Sequence, residues 1–442
     1  MDDNDNDKED DDHPLQMEEE GGYDDDDDDT NEDDEEVDTD EGDEEVETDE
    51  DDEEEEQPQT RQQRFNDRVA SIPQQDTVAA QYYRFARNER RIKSIEILQR
   101  RDEFPLRQRQ NIDISLNDIF IDLQVHGFFN SSNAVAVEVR AAGDDTVYDM
   151  DNDDYDALDN ENRLQLLLLL QRLNKVPDGH RNTIDVLVDM FLDDLEDDIH
   201  EMLCDQDDDY YGGLDSDRDT QQEVEAIVRL FPNVLSKKKV LKWDNDEEEW
   251  IAADDGEELY PIQCLMYRFG INNIDRNLKT LPFIAVLARL GIEFNQFTEK
   301  ARGGLLIEDD DGHTILDHLI GSSPLDEDEE HHQLVNNLYL TQLMELRHMG
   351  LLKKGDVQEY NLIHKVCFQY YFAERRFRFL FEMDPTSLLH PDDDGWLPLH
   401  FAVESLQSFQ VVFEAGIRTY PNKAGICLLF RKDWDDGSTP YQ

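Results

Sequence analysis

The side chains most able to do chemistry in this sequence are carboxylates, and their spacing tests first for a metal. Asp215-x-Asp217-x-Asp219 supplies the first three ligand positions of a twelve-residue calcium loop. That loop also needs Gly at its sixth position for a sharp turn and a bidentate Glu at its twelfth, where this chain has Thr220 and Ala226. Asp149-x-Asp151-x-Asp153 fails in the same way, with Asp154 and Asn160. His313 and His318 flank no catalytic Glu in a zinc-protease arrangement, and the adjacent His331 and His332 send their rings apart on any regular element. Cys204, Cys264, Cys367 and Cys427 form no Cys-x-x-Cys pair, the pattern of reduced, half-buried thiols. Neither a Gly-rich phosphate loop, a Gly-x-Ser-x-Gly elbow nor a kinase catalytic loop occurs. With 110 Asp and Glu in the chain, no single carboxylate pair stands out as an acid/base couple. The expectation is a protein without catalytic residues, metal or cofactor.

Recognition chemistry is better represented. Trp396 lies beside Asp393 and Asp394, and Trp434 beside Asp433, Asp435 and Asp436. An aromatic face flanked by carboxylates suits a partner bearing Arg or Lys; the alternative is that both indoles pack onto a neighbouring element. The element that positions Trp396 is written in Asp393-Asp394-Gly395-Trp396-Leu397-Pro398-Leu399-His400-Phe401-Ala402. Gly reaches positive φ without steric cost and Asp bonds its own backbone, so the stretch opens as a tight turn. Pro398 fits a first helical position, where its missing N–H is not needed. Leu399 and Ala402 then begin a buried stripe.

The same grammar returns along the chain. Asp435-Asp436-Gly437-Ser438-Thr439-Pro440 and Asp310-Asp311-Gly312-His313-Thr314 repeat the turn. Glu359-Tyr360-Asn361-Leu362-Ile363-His364 repeats it without Gly, and Asp255-Gly256 followed by Tyr260-Pro261-Ile262 stretches it. Ala288-Arg289-Leu290-Gly291-Ile292 and Phe413-Glu414-Ala415-Gly416-Ile417 each read as an apolar helix end stopped by Gly. The stretch 395–402 resembles the ankyrin-repeat signature Thr-Pro-Leu-His-x-Ala, and the resemblance covers roughly the half of the chain from about Gln221 onward. It implies helical hairpins that cannot bury their apolar faces singly and so stack, with Gly312, His364, Gly395, Pro398, Leu399, His400, Gly437 and Pro440 in structural roles. The departures are specific. Leu397 replaces the Thr, Asp317 stands where one copy would have His, and the units are longer than the usual length of about 33 residues.

Composition divides the rest. Residues 1–56 hold 37 Asp or Glu against Lys8 alone, a charge of −36, which predicts a disordered acidic tail over 1–59. Residues 60–110 carry +6 and include an amphipathic helix over Tyr82–Arg101 with Tyr82, Phe85, Ile92, Ile95 and Leu98 on its apolar face. Its arginines are expected to meet the acidic tail of the same chain. Residues 111–215 read as an α-helical block with acidic loops: Ile112–Phe129 fits helix or strand, Ala134–Val139 leans to helix, and Asn182 caps a helix bearing Ile184, Leu187, Phe191, Leu195 and Ile199. Lys237, Lys238 and Lys239 read as a solvated basic turn. The fold class expected is all-α, an ankyrin-like helical-hairpin solenoid over 216–442 preceded by the disordered acidic region.

The net charge of −69 repels nucleic acid and favours a basic protein partner. An acidic start and apolar runs no longer than Leu166–Leu170 predict neither leader nor membrane span, hence a cytoplasmic or nuclear protein. The leading functional expectation is a non-enzymatic interaction module or scaffold. The alternative is an acidic chaperone of histones or other basic proteins acting through the tail.

Overall fold

The computed structural model describes residues 59–72, 78–128, 163–204, 213–241, 257–266, 274–321, 329–369, 371–434 and 437–440. The acidic tail 1–56, the segment Ala134–Val139, the second calcium-loop candidate at 149–153, Gly256, Asp435 and Asp436 lie outside the described residues. The chain divides into Met1–Pro58 and a compact unit, Gln59–Gln442. Within that unit the described residues are overwhelmingly helical.

Its first part is built around α5 (Asp178–Cys204), which buries Ile184, Leu187, Val188, Phe191, Leu195 and Ile199. This helix begins right after Pro177 rather than at Asn182, since Pro and Asp suit a first turn and Gly179 is tolerated there. Helices α1 (Arg61–Ala70), α2 (Val78–Arg100) and α3 (Leu106–Val125) pack against it, and a short α4 spans residues 163–171. Over residues 112–125 helix α3 settles the open choice between helix and strand in favour of helix, and Phe129 lies outside the described residues. Thr60 starts α1 with a reciprocal capping box through Gln63, satisfying two end donors at once.

Helix α2 buries only the C-terminal part of its expected apolar face, Ile95 and Leu98, and turns a different face inward along its N-terminal part. Tyr82, Phe85 and Ile92 are 75%, 60% and 56% exposed, whereas Arg87, Ser94, Ile97 and Leu98 are buried. The cause is electrostatic. Arg87 and Arg90 meet Asp185, Asp189 and Asp193, which follow one another at four-residue steps down α5. Arg64 and Arg68 of α1 reach Asp194 and Asp193 at 2.6 Å, and Arg61 reaches Asp118 of α3 at 2.8 Å. These arginines are therefore engaged inside the folded unit, while the tail they were expected to meet lies outside the described residues. Burial raises the Asp185 and Asp189 carboxyls against the pull of the arginines, so the contact selects a partner face more than it adds stability.

The second part alternates short and long helices. Four pairs follow one another: α7 (Pro261–Cys264) with α8 (Ile274–Glu293), α9 (Ile315–Ile320) with α10 (Glu329–His348), α12 (Leu362–Phe368) with α13 (Glu374–Met383), and α14 (Pro398–Ala402) with α15 (Leu406–Thr419). Among the short members α9 packs on α12 and α12 on α14; among the long ones α8 packs on α10 and α10 on α13. Helix α6 (Gln221–Val228) lies on α8, a single turn α11 (Asp356–Glu359) precedes α12, and α16 (Lys423–Cys427) follows α15. Buried Arg376 ties α13 to the first of these rows by donating to the carbonyls of Leu319, Ile320 and Gly321 at the end of α9.

Two further readings change. Lys237–Lys239 is solvated but is not a simple turn: exposed Lys237 and Lys238 pair with Asp197 and Glu258, and Lys239 opens β1 (Lys239–Leu241). That strand pairs antiparallel with β2 (Glu257–Leu259), Val240 opposite Glu258. Gly291 and Gly416 do not stop helices but lie inside α8 and α15. A Cβ there would meet the Gly303 carbonyl oxygen at 3.0 Å or Leu428 Cδ1 at 2.6 Å, so each glycine admits the chain folding back behind its helix.

Candidate functional site

The turns that the sequence marks are built alike, bond for bond. In one, Asp309 N–H donates to the His313 carbonyl, Gly312 N–H donates back to the Asp309 carbonyl, and Asp309 Oδ1 accepts from His313 N–H at 2.7 Å. In the other, Asp392, Gly395 and Trp396 repeat all three bonds, the last at 2.8 Å. Gly312 and Gly395 take the left-handed conformation at φ 78° and 86°. A third turn, Asp433 to Gly437, keeps the carboxylate bond at 2.9 Å and the positive φ of 75°. The aspartate that closes the turn thus lies three or four residues before the glycine, while the Asp pair next to Gly is exposed in the first two turns.

The first two turns lead into the short helices α9 and α14, and in these as in α7 the third helical residue satisfies the helix start. Asp317 accepts from Thr314 N–H, His400 Nδ1 from Leu397 N–H, and Gln263 from Tyr260 N–H, at 2.7 to 2.9 Å. Three side-chain types fill one role, which explains why Leu397 and Asp317 can depart from the repeat signature. With Nδ1 accepting, His400 carries its proton on Nε2 and donates to the Arg431 carbonyl at 3.1 Å. His364 donates in the same way to the Trp396 carbonyl at 3.2 Å. Each histidine therefore ties its helix to the following turn. Burial lowers the His364 pKa to about 4, against the pull of Asp392 and of the Trp396 carbonyl, so the ring stays neutral.

A groove of about 710 Å³ runs over α9, α12 and α14. Asp309, Asp311 and Asp317 line one side, Asp392 another, and Lys365, Phe368 and Phe401 come from the helices. Lys365 joins α12 to α9 through Asp317 at 2.6 Å, and His318 bonds Asp309 at 3.0 Å. Phe368 and Phe401 meet edge to face at 5.7 Å, leaving Phe368 59% exposed. Burial pushes the neighbouring Cys367 thiol up, which keeps it un-ionised.

The residues singled out from sequence fall in different places. Asp393 and Asp394 are exposed at the turn tip. Trp396 is half-buried on Phe401, with ring centroids 5.2 Å apart. Trp434 lies over Gly395, where an added Cβ would come within 2.5 Å of the indole Cγ, yet it remains 67% exposed. Asp433 is buried and closes its own turn. Leu399, His400 and Ala402 are buried, Pro398 occupies the first position of α14, and Pro440 is buried. Phe368, Phe401 and Lys365, which line the groove, carried no sequence signal of their own. The signal that could have found them is placement: Lys365 directly after His364, Phe368 four residues after it and Phe401 directly after His400.

The aspartates of the calcium-loop candidate are otherwise engaged. Asp215 and Asp217 hold Lys279 at 3.1 and 3.2 Å, and Asp219 bonds Arg218. Among the described residues, no group of three or more His, Cys, Asp or Glu is placed to hold a metal, and no helix is long and apolar enough to cross a membrane. Comparison with family models, with curated proteins and with solved structures finds no match.

Proposed function

We propose that this chain is a non-enzymatic protein-interaction module whose second half is a degenerate ankyrin-like stack, and that the groove over α9, α12 and α14 receives a segment of a basic partner. The observation that carries this reading is the row of short helices that leaves an exposed aromatic and several carboxylates facing an open groove. Concave faces of stacked repeats are free to bind because each unit contacts only its neighbours. A photo-crosslinking residue at position 368 of the full chain tests it. A protein partner should become attached there at roughly 0.5 M salt, where exposed charges interact only over a few ångströms. Attachment that is no greater than at exposed Leu406 would overturn the reading.

The composition of residues 1–56 favours a second reading, an acidic chaperone of basic proteins acting through the tail. Removing that tail separates the two. Loss of all binding to basic proteins points to the chaperone, and retained attachment at position 368 to the groove.

A further inference from the structure

We propose that the groove seats an arginine side chain of an extended partner segment, the guanidinium lying on the Phe368 ring between the carboxylates of Asp311 and Asp392. The inference deepens the groove reading above and rests on it.

Charge comes first. Four carboxylates line the groove against the one ammonium of Lys365, and Lys365 is already taken by Asp317. Asp309 is also spent, on His313 N–H and His318. Asp311 is exposed, and Asp392 Oδ1 accepts from backbone N–H groups of its own turn, so neither carboxylate is engaged by a cationic side chain in the groove. A cation is the complementary guest.

Aromatic geometry selects the kind of cation. Phe401 is hemmed in by Trp396, His364 and Phe368. Phe368 touches Phe401 alone among these rings and is mostly exposed, so a ring face is open toward the groove. Guanidinium is planar and weakly hydrated, stacks on such a face and still directs N–H groups sideways to carboxylates, which an ammonium does less well.

The test titrates the full chain with three fluorescein-labelled eight-residue peptides that alternate glycine with arginine, lysine or citrulline, and reads anisotropy at fixed salt. The arginine peptide should bind at least about tenfold tighter than the other two. Phe368→Ala and Asp311→Lys, both at exposed positions, should each weaken it by about tenfold, and Phe368→Tyr should restore it. The acidic tail is the same in all variants, so a difference between them reports on the groove. Equal binding of the arginine peptide by the parent chain, Phe368→Ala and Asp311→Lys would overturn the proposal. If partner attachment at position 368 persists in that event, the arginine seat fails while the groove reading stands; if it is lost as well, both fail.

Discussion

Gln108 is the least satisfied side chain of the described core. It is fully buried on α3, and neither Nε2 nor Oε1 has a hydrogen-bond partner. A buried amide in that state costs about 1–3 kcal/mol. Gln108→Met keeps the unbranched length and removes both polar atoms, so it is expected to raise the urea midpoint by about 1–2 kcal/mol of stability with an unchanged slope. A lower midpoint would mean that the amide is satisfied. Asp198 on α5 makes the opposite kind of demand. Burial lifts its pKa to about 6, against the pull of Arg107. Its folded pKa lies above the unfolded value, so the folded chain holds an extra proton between about pH 4 and 6, and stability falls as pH rises through that window. Asp198 is half-buried, so solvent screens much of this. Asp198→Asn should gain about 1 kcal/mol at pH 7.5 and nothing near pH 4, measured by urea unfolding at both. An equal gain at the two pH values would assign the effect to packing.

At the scale of the element, the turn before each short helix is the unit that recurs, and its glycines can be weighed separately. Gly312 and Gly395 close identical turns at positive φ, where any other residue is strained by about 1–2 kcal/mol. Nothing lies within 4 Å of a Cβ added at 312, whereas one at 395 would strike Trp434. Gly312→Ala should therefore cost about 1 kcal/mol and Gly395→Ala at least about twice that, with a shift in tryptophan emission. Equal costs would show that the indole does not rest on the turn. These turns were legible because Asp, Gly and Pro have local preferences that act within five residues. Which aspartate closes each turn was not, since Asp392 and Asp393 differ only in where the backbone N–H of Trp396 points. Gln263 was missed for a related reason: its role depends on standing third in a helix that follows Tyr260, and glutamine itself announces nothing. The facing of α2 was hidden because two stripes run along it at helical spacing. Tyr82, Phe85 and Ile92 form the apolar one; Tyr83, Arg87, Arg90 and Ser94 form the one that packs, and only the Asp185, Asp189 and Asp193 ladder on another helix decides between them.

For the whole molecule, composition drew a boundary near residue 215 that packing does not respect. One hydrophobic cluster runs from Phe65 to Leu428, and it crosses that point where α5 lies against α7 and against the turn Pro232–Ser236. Charge sign and acidic loops describe the surface, while a core is shared by whichever apolar faces meet, so a composition shift locates linkers more readily than domains. The consequence is cooperative. Val234, Leu235 and Ile262 are each at most 2% exposed with α5 in place. Uncovering such side chains costs about 1.5–3 kcal/mol apiece, a large share of the 5–15 kcal/mol typical of total stability. Full-length protein is expected to unfold in urea in a single transition with coincident circular dichroism and tryptophan fluorescence. A fragment of residues 216–442 should lose amide protection first in α7 and the turn Pro232–Ser236 and keep it longest in α12 to α15, because only the former leaned on α5. Uniform protection across the fragment, at the midpoint of the full chain, would make the second half an independent domain and restore the boundary that charge alone suggests.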